Sequence, residues 1–159
     1  MKRHPEVGVR RHVQLLAGLF VVTVAVVAAA GPSSAYPGDS ATGRVTTSLG
    51  ERWRINATGG ATDLLAGGTV SGRLRNASVT AEVTCLHIVG QTAWVGVSVT
   101  KSKNASNIGS ELILVVEDGV PDVLGFVDAP ASECTNALAP EAEQTVARGD
   151  FAVTSGLIS

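Results

Sequence analysis

Apolar and polar side chains alternate over most of the chain after residue 43. An alternation with a period of two places the two kinds of side chain on opposite faces of an extended segment, which is typical of half-buried β-strands. The pattern predicts strands over residues 44–49, 51–57, 69–75, 79–88, 92–100, 112–116, 123–127 and 150–154. About seven or eight short strands without a long helix favour an all-β fold, either an antiparallel β-sandwich or a small barrel.

Two of these strands, 79–88 and 92–100, are long and are separated by a short glycine-containing link, which predicts a hairpin. Cys85 falls on the same face of the first strand as the valine two residues before it. Leu86 and Ile88 make the opposite face apolar as well. We therefore expect this end of the strand to be covered on both sides.

Between Pro140 and Gly149 the local signals are those of a helix. Two acidic residues follow the proline, and an arginine precedes the glycine. Acidic residues stabilise the first turn of a helix, and a base followed by glycine is typical of its end. The sequence predicts one short helical turn in this segment.

The first 35 residues have a different pattern from the rest. A basic segment, an apolar run from Leu15 to Ala30 and a stretch of small residues follow one another, which is the order of a secretory signal peptide. The apolar run is shorter than the ~20 residues that span a bilayer as a helix. We place cleavage between Ala35 and Tyr36. The chain then contacts a membrane only through the signal peptide, before cleavage; an uncleaved signal that stays as a membrane anchor is the alternative.

Cleavage would leave a polar leader over residues 36–50, with a possible first strand, and a single all-β domain over residues 51–159. The composition, 45% apolar and 16% charged, argues against a disordered chain. The signal contains four of the 12 basic and one of the 14 acidic side chains, so the remainder has 8 and 13 and a net charge of −5. This balance argues against a nucleic-acid partner, because binding to phosphates needs a basic surface.

The only two cysteines, Cys85 and Cys134, both lie beyond the predicted signal. Thiols oxidise outside the cell, and disulfides persist there. We therefore expect one intramolecular disulfide, which by loop-closure entropy contributes ~4 kcal/mol to stability. Two free thiols, one of them catalytic, are the alternative.

His87 is the only histidine beyond the predicted signal, and it lies on the same strand face as Cys85. A nucleophilic pair needs hydrogen-bond contact, whereas two such positions on one strand are ~6.5–7 Å apart. A structural zinc site needs four ligands. We therefore expect a bridged Cys85, a packed His87, no catalytic centre and no cofactor; a small secreted hydrolase that depends on His87 stays open.

Carboxylates are dense between residues 117 and 133. The five are Glu117, Asp118, Asp122, Asp128 and Glu133. Calcium is the cation that such oxygens would collect outside the cell, and Asp118 and Asp122 are weak candidates for it. Their spacing does not fit an EF-hand, and the Asp-Gly and Pro residues between them favour a hairpin turn with solvated acids.

Residues 83–97 resemble a hairpin found in a group of secreted β-domains from high-GC Gram-positive bacteria, with the pattern Val-x-Cys-Leu-x-Val-x-Gly-Asn-x-Ala. The same group has an acidic turn with glycine, a further aspartate and a late Gly-Asn-Phe-like strand. Here Glu117-Asp118-Gly119, Asp122 and Gly149-Asp150-Phe151 resemble these features, and the resemblance covers roughly residues 51–155. The resemblance implies export and an all-β fold; the group is largely uncharacterised, so it implies no catalytic residue.

Together these observations predict an exported, non-catalytic β-domain with a binding or structural role at the cell surface or in the medium. Its partner is expected to be an exported protein or an envelope polymer. A secreted inhibitor or interaction factor, with the polar loop 101–110 as its contact, is the alternative, and the small hydrolase is the third reading.

Overall fold

The computed structural model describes residues 38–156, so the predicted signal and its cleavage point between Ala35 and Tyr36 lie outside the described residues. Eight strands are present: β1 Ser40–Thr47, β2 Arg52–Thr58, β3 Gly67–Arg73, β4 Ser78–Val89, β5 Thr92–Ser102, β6 Glu111–Glu117, β7 Val123–Val127 and β8 Ala142–Thr154. Each strand pairs antiparallel with the next, and β8 pairs with β1, which closes the sheet into a barrel. The predicted all-β fold is confirmed, and of the two expected forms the barrel is the one adopted.

The interior of the barrel is filled by the apolar half of the alternating pattern. In β2 the side chains of Trp53, Ile55 and Ala57 are buried, whereas Arg52 and Arg54 between them are exposed. All eight strands contribute buried side chains to one continuous core. Burial stabilises this core by ~25 cal/mol for each Å² of apolar surface removed from water.

Residues 40–47, expected within the polar leader, form strand β1, which pairs with β2 on one side and β8 on the other. Its inward positions hold small residues, Ala41, Gly43 and Val45. A Cβ at Gly43 would lie 2.6 Å from Cδ1 of the buried Phe151, so the ring needs glycine opposite it. The strand therefore has only a weak apolar signal in the sequence, although the barrel cannot close without it.

The antiparallel order fixes which loops meet at each end of the barrel. The connections after β1, β3, β5 and β7 lie at one end, which we name the lower end. The connections after β2, β4 and β6 lie at the other, the upper end, together with residues 38–39 and 155–156. Every strand thus has a lower half and an upper half, and the position of a residue along its strand gives its height on the barrel.

A bulge in β4 changes which of its side chains point inward. Val83 pairs with Val97 but Cys85 pairs with Gly96, so the register shifts between the two residues of β4. The expectation that Cys85 shares the face of Val83 was wrong, because an extra residue in a strand moves the following side chains to the opposite face. Leu86 then enters the barrel core, and Cys85 joins a second apolar cluster.

The second cluster lies on the outside of the barrel. In β6, Leu114 and Val116 belong to the interior core, while the alternate residues Ile113 and Val115 pack with Cys85 in this outer cluster. Residues 128–141, which we name the covering segment, lie over it and include a 3₁₀ turn, Ala131–Asn136. The expectation that the end of β4 is covered on both sides is confirmed.

Three contacts hold the covering segment to the barrel. The predicted disulfide is present between Cys85 and Cys134. The Trp94 indole donates a hydrogen bond of 2.9 Å to the Leu138 carbonyl oxygen, and the Ala131 backbone N–H donates one of 3.0 Å to the Glu111 carboxylate. These contacts join the segment to β4, β5 and β6.

The helical turn predicted between Pro140 and Gly149 is absent; that prediction was wrong, because β8 runs through this segment. Val146 and Phe151 pack toward the core, and pairing with β7 and β1 outweighs the local helix signals. Helical structure within residues 38–156 is limited to 3₁₀ turns at Asp63–Leu65, Ala105–Asn107 and Ala131–Asn136. None of these is long and apolar enough to cross a membrane.

Gly96 is the position where the covering segment comes nearest to the sheet. A Cβ there would lie 2.4 Å from the Ala131 carbonyl oxygen and 2.9 Å from Cβ of Cys85. We expect Gly96→Ala to lower the free energy of unfolding by about 2 kcal/mol, since the segment must shift to admit one methyl group. Urea unfolding of the oxidised protein measures this change.

Gly67→Ala is the matched control, because Gly67 also lies in a strand and a Cβ there would meet nothing within 4 Å. We expect its free energy of unfolding to change by less than about 0.5 kcal/mol. Equal stability of the two variants would show that the covering segment does not constrain Gly96.

Candidate functional site

The two aspartates considered for calcium are placed in the β6–β7 turn, where they bind the backbone of β8. The Phe151 N–H donates to Oδ2 of Asp122 at 2.6 Å, and the Val153 N–H donates to Oδ2 of Asp118 at 3.1 Å. Strand β7 pairs only with residues 142–145 of β8, so beyond this point no strand lies on that side of β8. The two carboxylates accept hydrogen bonds from backbone N–H groups of β8 that a neighbouring strand would otherwise accept.

The remaining oxygen of Asp122 is also engaged, since Oδ1 accepts a hydrogen bond of 3.0 Å from the Gly119 N–H. Among residues 38–156, no group of three or more histidine, cysteine, aspartate or glutamate side chains comes together as a metal site would require. The hydrogen bonds that Asp118 and Asp122 accept from backbone N–H groups give both residues a structural role. The acidic turn and the late Gly-Asp-Phe strand, two separate parts of the sequence resemblance, are in direct contact.

His87 lies on the outer face of β4 and is bound to a residue that sequence reasoning missed. Its Nδ1 atom is 2.9 Å from Oδ2 of Asp63, and both side chains are about 6% exposed. Asp63 belongs to the β2–β3 loop, which folds over β4, so the contact joins positions 24 residues apart. The ring of Trp94 lies beside the imidazole, with ring centroids 5.8 Å apart.

A carboxylate on Nδ1 orients a histidine as general-base catalysis requires. The side chain of His87 is nevertheless only about 6% exposed, which leaves almost no surface for a substrate. Cys85 is oxidised in the disulfide and is no nucleophile. The arrangement fixes the β2–β3 loop to the barrel.

The basic side chains are gathered on one surface. All eight basic residues of the described range are exposed and lie in the lower half of the barrel, on β8, on β1 to β3 and around the ends of β3 and β5. They are Arg44, Arg52, Arg54, Arg73, Arg75, Lys101, Lys103 and Arg148. We name this surface the basic face.

The strand register arranges four outward positions of the basic face in a row across the sheet. Thr46 pairs with Arg148 on one side and with Arg52 on the other, and Arg52 pairs with Arg73. Neighbouring strands are ~4.8 Å apart, so this lower row crosses four strands. It holds three guanidinium groups and one hydroxyl group.

A second row lies two residues higher along the same strands, ~6.5–7 Å away. Arg44 pairs with Arg54 in this row, and Asp150 is the partner of Arg44 on β8. The two rows therefore contain two arginine pairs that face each other directly across neighbouring strands, Arg44 with Arg54 and Arg52 with Arg73. Like charges in this position destabilise a sheet.

An open groove of about 500 Å³ runs along the two rows. Five arginines line it: Arg44, Arg52, Arg54, Arg73 and Arg148. Within residues 38–156, none of the eight basic side chains forms an ion pair with a carboxylate. The groove can therefore offer its hydrogen-bond donors to an anion from outside.

The acids lie largely elsewhere on the domain. Five are at the upper end, and five more lie on or beside β6 to β8. The upper-end acids are Asp39, Asp63, Glu117, Asp118 and Asp122, and the others are Glu111, Asp128, Glu133, Glu141 and Glu143. The net charge, on which the argument against a basic surface was based, does not show this separation.

A signal for the basic face is present in the sequence. The predicted strands 51–57 and 69–75 each have arginines on their polar face. Whether those two faces are adjacent depends on which strands pair, and the alternating pattern does not contain that information.

Comparison of the chain with protein-family models, with curated proteins and with solved structures gave no match. The function must therefore be inferred from the geometry and charge of this chain.

Asp122→Asn tests the structural role of the acidic turn. An amide cannot accept from both the Phe151 and Gly119 N–H groups, because its NH₂ group is a donor. We expect the free energy of unfolding to fall by about 2 kcal/mol, the scale of a lost hydrogen bond to a charged group. Urea unfolding measures the loss.

Asp128→Asn removes the same charge from an exposed site just after β7 and serves as control. Its free energy of unfolding is expected to stay within about 0.5 kcal/mol of that of the unaltered protein. The proposed role is contradicted if both variants are equally stable.

Proposed function

We propose that this chain is an exported, non-catalytic binding domain that acts at the cell surface or in the medium and takes hold of its partner through the basic face. The observation that carries this proposal is the set of eight exposed basic side chains, none ion-paired with a carboxylate within residues 38–156, on one surface of an otherwise acidic domain. Two arginine pairs directly opposed across strands cost stability. A bound anion removes that cost.

Two features support export. A disulfide between Cys85 and Cys134 is compatible with an extracellular location, because thiols stay reduced in most cytosolic proteins. The order of basic, apolar and small residues over 1–35 is that of a secretory signal. The sequence resemblance to secreted bacterial β-domains agrees with this proposal.

The assignment as a binding domain rather than an enzyme is supported by the residues first considered for catalysis. His87 is buried against Asp63, and Cys85 holds the covering segment. Both side chains serve the fold. A small hydrolase would need His87 to be reached by a substrate, and its side chain offers little surface for this.

A secreted inhibitor or interaction factor is the second candidate, and the β5–β6 loop favours it. The Asn104 side chain accepts a hydrogen bond from the Ser106 N–H, which shapes the tip of the loop. Ile108 in the same loop is 52% exposed. Loops that a rigid scaffold holds in place are frequent sites of contact with other molecules.

Affinity capture tests the proposal. Oxidised protein spanning residues 36–159 is immobilised and exposed to envelope extract and culture medium, with reduced, unfolded protein as control. We expect a component that only the folded protein retains and that salt at about 0.5 M releases, since salt screens contacts between exposed charges. Retention of nothing, or equal retention by the unfolded control, would contradict a binding role.

A further inference from the structure

We propose that the basic face binds a phosphodiester polymer with small, non-aromatic spacers, whose successive phosphates lie along the groove and are held by its five arginines. This inference rests on the proposed function and names the chemical class of the partner. The juxtaposition that carries it is the pair of arginine rows on β8, β1, β2 and β3.

The distances between the arginines indicate that the groove binds several anionic groups rather than one. Arg52 and Arg73 are on neighbouring strands, ~4.8 Å apart, whereas Arg148 lies two strands from Arg52, ~10 Å away. The second row adds Arg44 and Arg54 at ~6.5–7 Å along the strands. One phosphate can contact only two or three of these side chains, so the full groove suits a chain of anions.

The presence of arginine rather than lysine in the groove favours phosphate as the ligand. All five cations that line the groove are arginines, and the two lysines, Lys101 and Lys103, lie beside it on β5 and the loop after it. A guanidinium group presents a planar fork of donors that matches the oxygens of phosphate. Lysine is a point charge without this geometry.

The groove lacks the aromatic platform that ring-containing polymers use. Trp53 lines the groove but is only 6% exposed, and its ring packs against Phe126 with centroids 5.3 Å apart. Single-stranded nucleic acids are held by stacking of bases on exposed aromatic rings as well as by charge. A polymer read through its phosphates alone, with small spacers between them, fits the groove best.

The rest of the surface restricts where such a polymer lies. The upper end and the side formed by β6, β7 and the start of β8 carry ten of the 13 acids within the described part of the chain. Like charges repel a polyanion there. The polymer is therefore confined to the basic face.

The test measures binding of the oxidised protein to a synthetic glycerol-phosphate oligomer of about ten units at several salt concentrations. Neutralisation of about four phosphates predicts that log K falls with log salt at a slope near −3, from ~0.7 for each contact on a flexible single strand. A slope near zero, or no binding at low salt, overturns the inference.

The variant Arg52→Gln with Arg73→Gln removes one opposed pair. We expect at least a tenfold loss of affinity at low salt and a slope shallower by about 1.4, since two contacts are lost. Both side chains are exposed and repel each other, so the melting temperature should not fall. A fall in affinity without a change in slope would contradict direct phosphate contacts.

Gln91→Glu with Asn136→Asp is the matched control. It shifts the net charge by the same two units, but at the upper β4–β5 turn and in the covering segment. Both residues are exposed. We expect its affinity to stay within twofold of that of the unaltered protein. Equal losses in the two variants would show an effect of net charge alone and overturn the site.

Competing polyanions identify the polymer. Polygalacturonate, oligo(dT) and phosphatidylglycerol vesicles supply carboxylates, a nucleic acid and lipid headgroups, and each is expected to bind at least tenfold more weakly than the glycerol-phosphate oligomer at equal charge. Tighter binding of any one of them replaces the assignment. If no polyanion binds while affinity capture still yields a partner, this inference fails and the proposed function stands.

Discussion

Closure of the sheet at β8 is the constraint on which the rest of the structure depends. This strand has 13 residues, and its neighbour β7 has five, so β7 pairs with only the first part of β8. The carboxylates of Asp118 and Asp122 accept the N–H groups that β7 does not reach. Without these contacts the barrel would present an unpaired strand edge, which is a site for aggregation.

A closed barrel has room for one apolar interior, yet this chain has apolar residues on both faces of β6 and at the end of β4. The bulge in β4 resolves this, because it moves Cys85 to the outside while Leu86 enters the core. The covering segment, which the disulfide joins to β4, then buries the outer apolar face. Gly96 is small because the segment passes directly over it.

The interior of the barrel is filled with apolar side chains, and the His87–Asp63 pair is buried. A partner can therefore contact the domain only at its outer surface. The arginine rows lie on β8, β1, β2 and β3, strands that the closed sheet holds in register. Because the ladder hydrogen bonds fix this register, the opposed arginines remain direct neighbours across the strands. The stability of the barrel thus maintains a surface on which the arginines repel one another when it is empty, and a bound anion offsets this repulsion.

The alternating pattern determined the fold class, most strand positions and the location of the hairpin between β4 and β5, because side-chain burial on a strand follows a local period of two. The disulfide followed from the presence of two cysteines beyond a predicted signal. Strand β1 was predicted only from residue 44 onward, because its first inward positions hold small residues. The first half of β8 was missed because its local signals are those of a helix. The bulge, the Asp63–His87 contact and the adjacency of the arginine-bearing strands in the basic face were decided by the tertiary structure. They depend on which strands are neighbours and in what register, and closure of the barrel sets these relations between residues far apart in the sequence.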